Sequence, residues 1–473
     1  MFPRFLLLKV MCSRIKYPEK GGNTLRFLEW INLYGLGVLF PIYLCVIGSS
    51  VSVALRHFVL LHPFQSIRLL FSEKKHGTYS PLRAMSLALA GTLGVGNIVG
   101  VAVALSLGGS GALFWMWISA FATMLIKYAE ITLSVAYRRE KKANGITLHY
   151  GGPMYYIERK WGRTAGKLFA VLCICASFCG NLVQMRSASE ATTEIFHLPR
   201  WLGAVLIFVG CTVLIHGGRD RIASFTSCVI PCLTVLYVLF CCYAIISMRA
   251  RMPAVLASVF RSAFSPRSAA GGFSGHLFLC AMRHGIAKGV YSHEAGCGTA
   301  PISYAGADSN SPAQNGMFGI LEVFVDTILL CTLTGLVILG AFPDACFMGG
   351  EGLCIVTQAF SKAIGGFSVY FLAGSIIVFA FSTVICWSFY GSESVGYLTK
   401  RSAWIRRYRF AFCLISSFSV FLGSGFVWEL NDFFTVCMTI LNTACLLTYL
   451  PQLQKITRCA LRGQSWGQFS ERK

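Results

Sequence analysis

The sequence predicts an all-α polytopic membrane protein of about 11 transmembrane helices, ten of them forming two five-helix repeats of opposite orientation. Three observations carry this. The 473 residues are 55% hydrophobic and only 13% charged, where a soluble domain carries roughly 25% charged residues. Apolar runs near the ~20 residues that cross a bilayer recur eleven times. Two of those runs are broken by glycines and polar residues at corresponding places in the order.

The spans fall near 33–55, 82–108, 111–135, 166–184, 202–217, 223–247, 272–299, 316–341, 368–391, 410–427 and 432–450. Span 202–217 is short, and no sizeable soluble domain fits between spans. Residues 1–32 form a basic N-terminal tail, and 33–55 is an extra span outside the repeats. Residues 82–247 form the first five-helix repeat, 272–450 the inverted second one, and 451–473 a basic cytoplasmic tail. Five is odd, so the second set must enter the membrane upside down relative to the first. The opening MFPRFLLLKVMC has a short apolar run without a convincing cleavage site and does not read as a signal peptide.

A net charge of +22 invites a nucleic-acid reading, but its distribution argues against one. Lys74, Lys75 and Arg83, the group Arg138 to Arg163, Arg219 and Arg221, Lys400 to Arg409, and Lys455, Arg458 and Arg462 all fall on one side of an eleven-span chain. The positive-inside rule names that side the cytoplasm. Opposite loops carry Asp308, Asp344 and Glu351. The N-terminal tail and Arg249, Arg251, Arg261 and Arg267 in the loop 248–270 run against this topology. The expected partners are therefore the lipid bilayer and a small solute, with no nucleic acid. Of the 20 cysteines, most lie in apolar spans, where cysteine acts as a small hydrophobe.

The first broken span reads Gly91-Thr-Leu-Gly-Val-Gly-Asn-Ile-Val-Gly100. Glycine costs about 1 kcal/mol per position against alanine in a helix interior. In hydrocarbon, each N–H and C=O freed by unwinding needs a partner, so this backbone should open toward a ligand, an ion or water. Residues 289–301, Gly-Val-Tyr-Ser-His-Glu-Ala-Gly-Cys-Gly-Thr-Ala-Pro, are its counterpart. Inverted repeats whose broken helices meet near the midplane are the signature of secondary transporters; glycines that merely let helices pack closely are the plainer explanation.

Further polar groups lie inside spans. Asn181 and Gln184 end the fourth. Ser382, Thr383, Trp387 and Ser388 cluster in the ninth, where adjacent hydroxyls could serve a hard cation such as sodium or simply bond back to the carbonyl at i−4. Ionisable residues within spans are usually functional or paired: here Lys127 and Glu130, which can pair with each other, and Glu322 and Asp326, the last open to a sodium or proton role. His293 and Glu294 could brace the second interruption. His293-Glu294-Ala-Gly-Cys297 lacks the last ligand of a zinc His-Glu-x-x-His pattern, and no phosphate-binding Gly-Lys-Ser/Thr loop occurs. Neither an intramembrane enzyme nor an ATP-driven pump is supported.

The runs Gly91 to Gly100, Phe114-Trp-Met-Trp-Ile-Ser-Ala-Phe121 with Lys127-Tyr-Ala-Glu130, Gly151-Gly-Pro-Met-Tyr-Tyr-Ile157 and Ser292-His-Glu-Ala-Gly296 strongly resemble the bacterial sodium:alanine/glycine symporter family, over about residues 80–450. The resemblance implies a leucine-transporter-type five-plus-five inverted repeat. It implies sodium-driven import of alanine or glycine, of either hand in some members, across the bacterial cytoplasmic (inner) membrane, with Na+ as coupling ion, no organic cofactor, a cytoplasmic C-terminus and a monomeric state.

Carried onto this sequence, the family's amino-acid site falls on Thr92, Gly94, Gly96, Asn97, Gln184, Tyr291, Thr383 and Trp387. Its sodium site falls on carbonyls near Leu93 and Gly96 with the hydroxyls of Ser382 and Thr383. On this basis backbone N–H groups at the broken helix hold a carboxylate, the amide oxygens of Asn97 and Gln184 accept from an ammonium, and Tyr291 and Trp387 cap the pocket. The family usually has Phe where Tyr291 stands and Asn where His293 stands; histidine brings a group that titrates near neutral pH. The expected function is sodium-coupled symport of small neutral amino acids (alanine, glycine, D-alanine) by alternating access. Proton coupling on the same fold and a passive small-solute channel are the alternatives.

Overall fold

The computed structural model describes residues 39–58, 63–70, 79–143, 146–196, 199–264, 273–309, 311–343, 352–421 and 424–464. The basic N-terminal tail, 1–32, lies outside them. Helix α1 (Phe40–Ala54) comes from the first apolar run, and α2 (Pro63–Leu70) follows it. The run at 82–108 is two helices. Helix α3 (Pro81–Thr92) starts at Ser80, whose hydroxyl accepts from Arg83 N at 3.3 Å, with Pro81 in the first turn, where its missing N–H costs nothing. A single 3₁₀ turn (Val95–Asn97) separates it from α4 (Val99–Gly108).

Next come α5 (Gly111–Ala136), an antiparallel pair β1 (Arg139–Ala143) and β2 (Ile146–Tyr150) with Arg139 opposite Tyr150, α6 (Pro153–Trp161), α7 (Arg163–Phe196), α8 (Arg200–Ile215), α9 (Gly218–Ser247) and α10 (Met252–Ala263). The second broken span is α11 (Phe273–His293) followed by the short α12 (Ala300–Ala305). Helix α13 (Pro312–Val323) runs through a π-helical stretch, Phe324–Cys331, into α14 (Thr332–Ala341). Helices α15 (Gly352–Ile364), α16 (Phe367–Thr399), α17 (Ser402–Phe418), α18 (Ser424–Thr448) and α19 (Leu450–Leu461) complete the described chain. Among the described residues, six segments are long and apolar enough to cross a membrane unbroken: α5, α7, α9, α13 through α14, α16 and α18.

Helix α5 is the mast of the fold. It packs against α1, α11 and α13, and each of these meets it through glycine. A methyl on Gly48 would overlap the Ala122 backbone, one on Gly285 the Ala112 carbonyl, one on Gly289 the Ser119 hydroxyl and one on Gly316 the Thr132 hydroxyl. Small residues let helix backbones approach where lipid supplies no hydrophobic drive. Helices α7 and α16 form the other extensive contact, with α18 against α7.

Among the helices in stretches that hydropathy reads as loops, two stand out. Helix α10 has 12 residues and α15 has 13, too short to span, so a ~20-residue window passes over them. Both are amphipathic, and α15 buries Leu353, Ile355, Val356, Ala359 and Phe360. Arg251, one of the cations at odds with the charge topology, donates to Gly340 O at 3.2 Å, and Lys362 donates to Ala341 O at 2.8 Å. Both close the C-terminus of α14, where the helix dipole favours positive charge.

Candidate functional site

Helix α3 ends where Leu93 turns out of helical geometry (ψ 93°), its N–H still bonded to Leu89 O at 2.7 Å. Gly94 is fully extended (φ −141°, ψ −155°). Glycine is needed here for space rather than for its backbone angles: a Cβ would sit 2.9 Å from Gln184 Nε2 and 2.9 Å from Thr383 Oγ1. At Gly96 a Cβ would lie 3.3 Å from the Tyr291 ring. The opened backbone is met by Asn97 of the same turn and by side chains from distant elements. Gly94 N donates to Asn97 Oδ1 at 3.1 Å, Val95 N to Gln184 Oε1 at 3.2 Å, and Thr383 Oγ1 shares its hydrogen between Leu93 O at 3.2 Å and Phe379 O, one turn back, at 3.0 Å.

The second interruption needs glycine for a different reason. Gly296 and Gly298 have φ +87° and +85°, the left-handed region where a side chain is strained. Glu294 adopts φ +50° between them and α11, and Thr299 donates to its carboxylate at 2.7 Å. Ala295 N donates to His293 Nδ1 at 3.1 Å while His293 Nε2 lies 3.1 Å from Thr123 Oγ1. With Nδ1 accepting, Nε2 carries the hydrogen and the ring braces the turn as a neutral group. Lys127 does not pair with Glu130 as the i,i+3 spacing suggests. It reaches across the fold to Glu322 at 3.1 Å and to His293 O at 3.0 Å, while Glu130 accepts from Asn442 at 2.8 Å. A lysine is long enough to satisfy a carbonyl left by the broken helix, and no α5 neighbour offers that.

Asp326 joins the two interruptions. Its carboxylate accepts from Asn97 Nδ2 at 2.8 Å, from Ser292 Oγ at 2.7 Å and from Thr327 Oγ1 at 2.8 Å. The π-helical stretch carries it, a local irregularity frequent at functional sites. Asn97 also donates to Ser292 Oγ at 2.8 Å, so both ends of its amide are engaged within the protein.

A cavity of about 100 Å³ lies beside the interruptions, bounded by Gln184, Tyr291, Glu294, Trp387, Asn431 and Thr435. A second, of about 300 Å³, lies among Val103, Glu190, Leu353 and Trp428. Lys288 and Asp432 line both. Between the two, Tyr291 and Trp428 stand 5.2 Å apart by ring centroid, and Lys288 Nζ lies 5.3 Å from the first ring and 4.8 Å from the second.

Of the residues the sequence singled out, Gln184, Tyr291 and Trp387 line the smaller cavity, and Leu93, Gly94, Gly96 and Asn97 form the neighbouring backbone break, which Thr383 meets from α16. Thr92 turns its hydroxyl toward Ala88 O and Leu89 O, and Ser382 bonds back to Val378 O at 2.8 Å. Asn181 lies elsewhere: it ties α7 to Phe412 O and Ser416 of α17. Lys288, Asn431 and Asp432 escaped the reading. Lys288 is an ionisable residue within span 272–299 and stands three before Tyr291, which is signal enough; Asn431 sits one residue outside the span boundary drawn at 432.

The profile of the sodium:alanine symporter family matches residues 23–462. The chain is 33% identical to the sodium/alanine symporter AgcS of Methanococcus maripaludis, covering 89% of this chain and 94% of that protein. It is 35% identical to the probable sodium/glutamine symporter GlnT of Bacillus subtilis, covering 83% of this chain and 80% of that protein. Among solved structures it resembles MhsT in complex with L-phenylalanine (TM-score 0.56, 13% identity, 82% of this chain and 97% of that one). It also resembles the manganese transporter of Eremococcus coleocola (TM-score 0.52, 13% identity, 82% and 87%). These likenesses show the leucine-transporter type of fold in a multi-pass membrane protein that is a transporter rather than an enzyme.

Proposed function

The chain belongs to the sodium:alanine symporter family, and from that premise we propose that it carries small neutral amino acids, alanine and glycine first, into the cell by sodium-coupled alternating access. The observation that carries this reading is the pair of carboxamide oxygens on the opened backbone. Asn97 Oδ1 and Gln184 Oε1 accept from Gly94 N and Val95 N, as a substrate carboxylate would, beside the start of α4, where a helix dipole favours an anion. When the carboxylate takes those N–H groups, Gln184 Oε1 turns to the ammonium. Tyr291 and Trp387 close over the amino acid, with Thr92, Gly94, Gly96, Asn97 and Thr383 forming the rest of its cradle.

Sodium takes the place of the hydrogen bond between Thr383 and Leu93. Its ligands are the carbonyls of Leu93 and Gly96 with the hydroxyls of Thr383 and Ser382, the last after leaving Val378 O. Hydroxyl and carbonyl oxygens suit a hard cation. The larger cavity, on the side the charge distribution marks as outside, is the vestibule, and the Lys288–Tyr291–Trp428 partition is the barrier that opens to it. The two five-helix units, 82–247 and 272–450, rock against each other around the paired breaks.

Counterflow tests the carrier reading. Proteoliposomes loaded with unlabelled alanine should take up labelled alanine by exchange, with L-alanine, D-alanine and glycine competing. A channel gives no counterflow, and its absence would overturn the proposal. One observation favours a second coupling ion: the buried Asp326 carboxylate spans both breaks and pairs with hydrogen-bond donors rather than a cation. Uptake that follows a pH gradient without sodium would establish proton coupling instead.

A further inference from the structure

Asn431, Thr435 and Thr439 stand on successive turns of α18, four residues apart, and so share one face; all three line the smaller cavity. Thr439 bonds back to Thr435 O at 2.7 Å. The other two are different. Asn431 is only 3% exposed, yet its Oδ1 finds no hydrogen-bond partner among the described residues, and neither does Thr435 Oγ1. The Asn431 side chain also interacts with the neighbouring Asp432, and both residues line the cavity. Gly180 locates the Asn431 oxygen: a Cβ there would lie in ordinary contact with it and with Trp387, 3.5 Å from Asn431 Oδ1 and 3.5 Å from the indole. Gly180 is one helix turn before Gln184 on α7. The unspent Asn431 oxygen thus lies near the indole, beside the α7 helix that carries Gln184, and Thr435 lines the same cavity.

A cavity meant only for the methyl of alanine needs an apolar wall, because a buried acceptor without a partner is destabilising. Here the wall beyond Trp387 offers two such oxygens on consecutive turns. We propose that Asn431 and Thr435 form a side-chain subsite that selects amino acids whose side chain ends in a hydrogen-bond donor, a hydroxyl or a carboxamide, over apolar ones of equal size. The inference rests on the reading of this cavity as the amino-acid site and names which side chains larger than the methyl of alanine it admits best. A site built to bond a donor discriminates against the analogue that lacks it more strongly than an apolar wall discriminates between side chains differing by one methylene.

The test uses the full chain in proteoliposomes, with labelled glycine uptake competed by serine and by 2-aminobutyrate, which replaces the hydroxyl with a methyl. Serine should inhibit at a concentration about tenfold lower, the size of one hydrogen bond. In Asn431→Leu, and separately in the nearly isosteric Thr435→Val, the ratio of the two inhibition constants should fall toward one whatever the uptake rate. Asparagine set against leucine, its near-isostere, forms the carboxamide arm; a preference in that arm alone identifies the donor as an amide and likewise supports the subsite. Equal inhibition within both pairs, or a ratio untouched by both substitutions, overturns it. Failure of the wild type to take up glycine or any competitor would instead overturn the amino-acid reading beneath it.

Discussion

Asn97 donates its side-chain amide to the Asp326 carboxylate at 2.8 Å, fastening the first broken helix to the π-helical stretch between α13 and α14. The same carboxylate takes the Ser292 hydroxyl from the end of α11 at 2.7 Å. One buried acid thereby sets the separation of the two breaks between which substrate and ion are proposed to bind.

Replacing that acid should separate geometry from charge. Asp326→Ala strands the buried hydroxyls of Ser292 and Thr327, at about 1–3 kcal/mol each, while Asn97 Nδ2 keeps Ser292 Oγ and the Asp326 carbonyl, and it should lower the melting temperature of the purified protein clearly. Asp326→Asn keeps the shape and part of the bonding, so its melting temperature should fall less, while alanine uptake drops by at least about tenfold. Wild-type uptake in Asp326→Asn would show that the carboxylate serves only as a strut.

Lys127 and Glu322 form an ion pair at 3.1 Å with side chains 0% and 1% exposed. Removing one partner leaves an uncompensated buried charge, a loss of about 3–5 kcal/mol. Lys127→Met should therefore be strongly destabilising, and Lys127→Met with Glu322→Gln should recover much of the loss. A double-mutant cycle on thermal stability in detergent measures this; additive effects would mean that the pair contributes no coupling.

The glycines of the first interruption should not be equivalent. At Gly94 a Cβ meets Gln184 and Thr383 at 2.9 Å, whereas at Gly100 nothing lies within 4 Å. Gly94→Ala should abolish uptake by pushing both side chains off the opened backbone. Gly100→Ala should leave uptake near wild type and match or raise stability, by up to about 1 kcal/mol of helix propensity. Uptake assays with melting curves on both variants check it, and equal behaviour would contradict the cradle described here.

Thr383 is the hydroxyl that reaches Leu93 O. Thr383→Ala should raise the sodium concentration for half-maximal alanine uptake several-fold, and Thr383→Ser should restore most of it. Sodium titration of uptake at fixed alanine reads this directly. Equal sodium requirements in all three proteins would move the ion elsewhere.

The spans and their two breaks were legible because hydropathy and glycine placement are local properties of the chain. The same composition misled at two points. Lys127 and Glu130 look like a pair at i,i+3, but the paired group is Glu322, about two hundred residues on in the chain. Asn181 and Gln184 look alike, three apart near the end of one span; yet Gln184 faces the opened backbone while Asn181 faces α17, because three residues on a helix still leave an angle that only packing resolves. The polar face of α18 was hidden by a boundary drawn at 432, which cut Asn431 from Thr435 and Thr439. Helices α10 and α15 escaped because a helix lying along the protein has no need of a spanning length.

The most direct measurement is labelled alanine uptake into proteoliposomes under an imposed inward sodium gradient, against the same gradient of choline. Sodium-coupled symport requires alanine inside to rise transiently above its external concentration with sodium, and to do no more than equilibrate with choline. Equal uptake in the two salts would contradict it.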